Sequence, residues 1–105
     1  MFKVDKLNFL TAGIPMSAKD YTNAFNELEK LNLDGLEVEF VHGVRYSENT
    51  KNAILNRKNK IITHHGPYYI NLNAKEEDKI KASIKRVLDT ARAGKDLGAY
   101  SITYH

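Results

Sequence analysis

The stretch IITHHGPYYINL, residues 61–72, decides how the chain is read. A β-branched apolar run ends in two histidines, then come a Gly-Pro break, two tyrosines and a second short apolar run. β-Branched residues bounded by Gly and Pro mark a strand that stops at its histidines. The segment SITYH, residues 101–105, repeats the pattern, again closing on histidine.

Working outward from that strand, the chain alternates between two periods. LNFLTAG (7–13), GLEVEFV (35–41), IITHH (61–65) and YSITYH (100–105) read as strands. Between the first two, Ser17 with Asp20 three residues on predicts a helix start, and Tyr21, Ala24, Phe25, Leu28 and Leu31 form an apolar stripe. Ser47 predicts a shorter helix running toward Asn56. Asn73, helped by Glu76, predicts a long helix whose stripe is Ile80, Ile84, Val87, Leu88 and Ala91 and whose end is Gly98. The order βαβαβαβ implies an α/β fold with a parallel sheet and helical crossovers.

Alternation along the strands separates their faces. Ile61, Thr63 and His65 share one face; so do Glu37, Glu39 and Val41, and so do Ser101, Thr103 and His105. A parallel strand buried on both sides is apolar throughout. Here one face carries carboxylates, hydroxyls and imidazoles, as the lumen of a βα barrel does near its active end. His65 and His105 fall at the C-terminal tips of neighbouring strands, where parallel α/β folds build their sites. Adjacent strands lie ~4.8 Å apart, so the two imidazoles are within reach of one metal ion or of two neighbouring ones. A closed eight-stranded barrel takes ~250 residues. Residues 1–105 are therefore expected to form the N-terminal part of a single TIM-barrel domain, the remaining strands lying outside them. Its unpaired sheet edges are expected to promote self-association.

Composition narrows the chemistry. Hydrophobic residues make up 42% and charged residues 28%, ordinary values for a globular domain. With no cysteine, thiolate catalysis and cysteine-ligated metals are excluded, so a metal must sit on His, Asp or Glu. The opening MFKVDKLNFL has too short an apolar run for a signal peptide, no apolar run is long enough to span a membrane, and a cytoplasmic location is expected. The net charge of +3 is compatible with a polyanionic partner.

The chain resembles the N-terminal half of the endonuclease IV family of apurinic/apyrimidinic-site DNA repair enzymes, in particular its archaeal-type branch. The residues that carry the resemblance are TAGIP (11–15), GLEVEFVHGV (35–44), HGPYYINL (65–72), KASIKRVLDTARAGKDLGA (81–99) and SITYH (101–105). The resemblance implies a hydrolase with a multinuclear zinc site that cleaves the phosphodiester 5′ to an abasic site. It implies His65 and His105 as zinc ligands and Tyr68 as the side chain that enters DNA beside the lesion. It also implies a DNA-contacting loop at His42–Arg45, with Arg45 as the candidate contact. The sequence departs from bacterial members in having TAGIP where they have a His-Val-Ser motif, and Gly66 where they have an acidic residue.

The other polar residues have plainer readings. His64 points away from His65, toward the helix layer. Tyr69 reads as structural. Glu37 and Glu39, taken as near the middle of strand two, read as lumen residues. Lys51, Arg57, Lys58 and Lys60 read as a solvated basic face. Two other classes stay open: a sugar isomerase or epimerase of the xylose-isomerase-like barrels, whose metal sites favour strand-tip carboxylates, and a cut half-barrel without catalysis of its own.

Overall fold

In the computed structural model, which describes residues 5–105, each expected element is present. The order is β1 (Leu10–Ala12), α1 (Tyr21–Lys30), β2 (Gly35–Glu39), α2 (Glu48–Leu55), β3 (Ile61–His65), α3 (Glu77–Leu97) and β4 (Ile102–Thr103). The four strands are parallel and lie side by side in chain order. The first four residues of the amino-terminal reading lie outside the described residues. Among the described residues, no helix is long and apolar enough to cross a membrane.

Register fixes what each face holds, because paired residues of a parallel ladder point the same way. Leu36 pairs with Ile62, and Val38 pairs with His64, which in turn pairs with Ile102. Of these, Leu36, Val38 and Ile62 meet Ala24, Phe25 and Leu28 of α1, Ile54 of α2, and Ala93 and Leu97 of α3 in the core. All three helices pack on this one face, which is the winding of a barrel rather than of a doubly wound sheet. The opposite face carries Glu37 beside Thr63, and Glu39 beside His65 and then Thr103. The fold is a partial TIM barrel.

Local chemistry moves several boundaries. Asp20, not Ser17, caps α1: its carboxylate accepts from Asn23 N–H at 2.9 Å, while Ser17 lies in the turn closed by Ala18 N–H to the Pro15 carbonyl. The helix ends in a Schellman motif, with Asn32 at φ 56 and Leu33 N–H on the Leu28 carbonyl, so Leu31 is 53% exposed and leaves the stripe. Ser47 caps α2 as expected. Asn73 does not cap α3: it lies in a tight turn, its N–H donating to the Asn71 side chain at 3.0 Å, and the helix starts at Glu77 with Glu76 in the N-cap position. The expected α3 stripe is also revised: the residues facing the sheet are Ser83, Thr90, Ala93, Gly94 and Leu97, whereas Ile84 and Leu88 are 46% and 45% exposed.

Three of the cations read as a solvated face are internal fasteners. Arg57 donates to the carbonyls of Ile54, Lys60, Leu97 and Gly98, binding the C-terminal ends of α2 and α3 where their dipoles favour a cation. Lys60 reaches the Leu33 carbonyl and the Glu29 carboxylate. Lys51 and the Tyr46 hydroxyl both donate to Asp96, tying α2 and its leading loop to α3.

His64 is fully buried beneath α3, edge-on to Phe40 with ring centroids 5.0 Å apart, and neither ring nitrogen completes a hydrogen bond. Burial lowers its pKa from 6.5 to about 4, although the Thr90 backbone beside it works in the opposite direction. The unfolded chain therefore takes up a proton near 6.5 that the folded chain refuses until about 4. Stability present above pH 6.5 should fall as pH drops toward 4, by about 3 kcal/mol at most. Urea unfolding between pH 7 and 5 should show a steeper loss for the native chain than for His64→Leu. Equal slopes would refute the assignment.

Candidate functional site at the strand tips

The polar face becomes a site at its C-terminal edge. His65 is the last residue of β3, and His105 lies two residues beyond the end of β4. Their rings stand 5.0 Å apart between centroids, inclined at 38°. The Tyr68 ring lies 6.5 Å from His65 and is 62% exposed, so it stands at the rim with an open face. Residues 65, 68 and 105 are thus brought together. Arg45 is on the adjoining loop, exposed, with its guanidinium folded toward Gly43 and its backbone N–H on the Gly43 carbonyl at 3.1 Å.

One contact orients the His65 ring. Its Nδ1 lies 2.9 Å from the Gly66 carbonyl oxygen, which only accepts, so Nδ1 is the donor there and, in the neutral ring, Nε2 holds the lone pair. Backbone orientation of this kind is what metal-binding imidazoles ordinarily have. Gly66 also has little room for a side chain, since a Cβ there would sit 3.1 Å from Thr90 Oγ1 and 3.5 Å from the Thr103 carbonyl. A side chain added at this position would have to displace Thr90 by a few tenths of an ångström.

Glu39 is the residue that sequence reasoning misplaced. The second strand ends at Glu39 rather than Val41, so this carboxyl is at a tip, paired in register with His65. Burial raises its pKa first and repulsion from Glu37 adds to that, while His65 works the other way. Glu37 sits one layer deeper and accepts from the Thr63 hydroxyl at 2.9 Å. Tyr21, opening α1, joins the same group: burial and then the charge of Glu39 raise its hydroxyl pKa. Among the described residues, no three His, Asp or Glu side chains gather closely enough to hold a metal ion. The imidazole pair supplies at most half of a tetrahedral ligand set.

No model of a known protein family matches the chain. It is 42% identical over 100 residues to an uncharacterized protein of Methanocaldococcus jannaschii, a match covering 94% of this chain and 36% of that protein. Among solved structures it is similar to endonuclease IV from Thermus thermophilus, with a TM-score of 0.72 at 18% identity over 95% of this chain and 40% of that one. A second Thermus thermophilus protein, soaked with zinc chloride, gives 0.69 at 20% identity over 91% and 38%. The 3-keto-D-glucoside 4-epimerase of E. coli, in its apo form, gives 0.72 at 19% identity over 92% and 37%. The likeness establishes the fold, and the chain spans little more than a third of each of these proteins.

The carboxyl pair makes a measurable prediction. Replacing Glu37 by Gln removes the second cause of the raised Glu39 pKa, so the Glu39 midpoint should move down. Carbon-13 NMR titration of the glutamate carboxyls reads this directly, and an unmoved midpoint would contradict the pairing.

Proposed function

We propose that this chain is part of a zinc-dependent barrel nuclease that acts on DNA at abasic sites, hydrolysing the phosphodiester on the 5′ side. The observation that carries the reading is the His65–His105 pair, two imidazoles 5.0 Å apart at neighbouring strand tips. His65 would bind through Nε2, its other nitrogen being held by the Gly66 carbonyl. Zinc bound there supplies Lewis-acid polarisation of a phosphoryl oxygen. Tyr68, exposed beside the pair, offers a ring on which an unpaired nucleotide can stack. Arg45 offers a free guanidinium to a neighbouring phosphate, since among the described residues it forms no ion pair. The remaining ligands would come from strands of the same barrel outside these residues. The lack of cysteine fits a reducing, cytoplasmic setting.

Glu39 favours a second reading, a sugar isomerase or epimerase. A partly buried carboxyl at a strand tip, with a second carboxyl behind it and a tyrosine hydroxyl nearby, suits proton transfer on a polyol.

Substitution in a protein that completes the barrel separates the two. On the nuclease reading, His65→Ala and His105→Ala each lower zinc affinity at least roughly tenfold and abolish nicking of an abasic duplex, while Glu39→Gln still nicks. Full zinc content in both histidine variants removes the nuclease reading. Loss of a sugar-isomerising activity in Glu39→Gln, with no nicking by the parent protein, installs the second.

A further inference from the structure

Residues 66–72, which follow β3, carry two consecutive exposed tyrosines that serve different sides of the rim. Tyr68 stands beside His65, whereas Tyr69 lies against Arg86 of α3, whose guanidinium carbon is 6.0 Å from the centre of its ring. Arg86 also donates to the Tyr69 carbonyl at 2.6 Å. A ring contact and a backbone bond thus fix the direction of a side chain that otherwise loses rotamer freedom on meeting a ligand. Among the described residues Arg86 forms no ion pair, so its charge is not neutralised.

This guanidinium lines a cleft of about 360 Å³ between α3 and the loops that follow β2 and β3, with His42, Gly43, Pro67 and Lys85 among its walls. Arg45 adjoins it, since a Cβ on Gly43 would stand 3.7 Å from the Arg45 Nε. The carboxylate in this cleft, Asp89, is engaged by Lys85 at 2.7 Å and by Arg92 at 3.7 Å. Past Val44 and Asp89, which border both spaces, the cleft runs into an open groove that reaches Arg92. The groove's further carboxylate, Asp96, is taken by Tyr46 and Lys51. What results is an elongated basic track on the helix side of the rim, with its acids already paired.

We infer that this track holds backbone phosphates of a nucleic-acid strand, with Arg86 and Arg45 as the phosphate contacts and Tyr69 as the residue that positions Arg86. The inference rests on the nuclease reading in taking DNA as the strand, and it adds a site outside the strand-tip centre. Guanidinium forks match phosphate oxygens, and successive phosphates suit an open groove with cations along it. A lone phosphorylated sugar is better served by an enclosing pocket. Contacts of this kind place a duplex without reading its sequence, so undamaged DNA binds the track as damaged DNA does.

Fluorescence anisotropy of the 105-residue chain with a short undamaged duplex, without zinc, between about 50 and 200 mM salt tests the track. Affinity should fall linearly with salt on logarithmic axes. Arg86→Gln and Arg45→Gln should each flatten that slope by about 0.9, the loss of one phosphate contact, while Arg86→Lys retains it. Tyr69→Leu should weaken binding and keep the slope. No binding at the lowest salt, or an unchanged slope in Arg86→Gln, would overturn the inference. The same flattening in Arg86→Lys would overturn it too, because it would assign Arg86 to holding the loop. Ribose 5-phosphate displacing the duplex at matched phosphate concentration would give the cleft to a phosphorylated sugar and remove the strand. No metal takes part, so these outcomes are separate from whether His65 and His105 bind zinc.

Discussion

The register between β2 and β3 is the constraint from which the site follows, and it is set at the lower end of the sheet. Gly35 lies so close to Ile61 that a Cβ on it would fall 2.0 Å from the Ile61 carbonyl oxygen, so no side chain fits. Ile61 N–H binds the Asp34 carbonyl at 2.8 Å, and Lys60 is fastened to Leu33 and Glu29 just before it. With Gly35 opposite Ile61, Glu37 must meet Thr63 and Glu39 must meet His65. A slip of one residue would invert every side chain of β3. It would carry His64 into the lumen and His65 under α3.

Two histidines therefore stand together where a strand ends because a period of two sends them into opposite surroundings. They are chemically alike and differently employed. His64 spends its ring as a buried aromatic against Phe40, neutral because burial disfavours its charge. His65 keeps a polar setting, with one nitrogen tied to the backbone and the other open. The small residues of α3 make the first arrangement possible: a Cβ on Gly94 would already stand 3.8 Å from His64 Nδ1 and 3.2 Å from the Ile102 side chain. Packing under the strand and chemistry above it are two consequences of one alternation.

Much of this was legible before any coordinates. Strand order, helix order, the Gly98 stop and the side on which His65 faces follow from periodicity and capping, which are local. What was misread depends on competition or on neighbours. Ser17 and Asn73 are good caps in isolation, but α1 starts after Asp20, whose carboxylate takes the Asn23 N–H, and α3 starts after Glu76, Asn73 being held in a turn with Asn71. Arg57 looks like any surface cation until two helix ends from distant parts of the chain arrive beside it. The α3 stripe is apolar, but the structure places it beside the sheet-facing side rather than on it. An apolar flank says that something covers it and not which element does, and small residues such as Ser83, Thr90 and Gly94 give no hydrophobic signal for close helix–sheet contact. Glu39 was missed because β-propensity continued through Phe40 and Val41, whereas the ladder stops earlier.

The two imidazoles are not held equally, and that asymmetry bears on how such a site works. His65 belongs to a strand paired on both sides, with its carbonyl accepting from Phe40 N–H and the next residue, Gly66, donating to the Thr103 carbonyl. His105 lies beyond a two-residue strand fixed from one side, through the bonds of Tyr100, Ser101 and Thr103 to β3. An imidazole pair of this kind has one rigid member and one whose position depends on what adjoins β4. The imidazole spacing then becomes a property of the sheet as a whole: a strand added at the free edge would restrict the second imidazole without touching either ring. Parallel barrels gather a site from many short strands, and each strand's contribution is only as well placed as its neighbours make it.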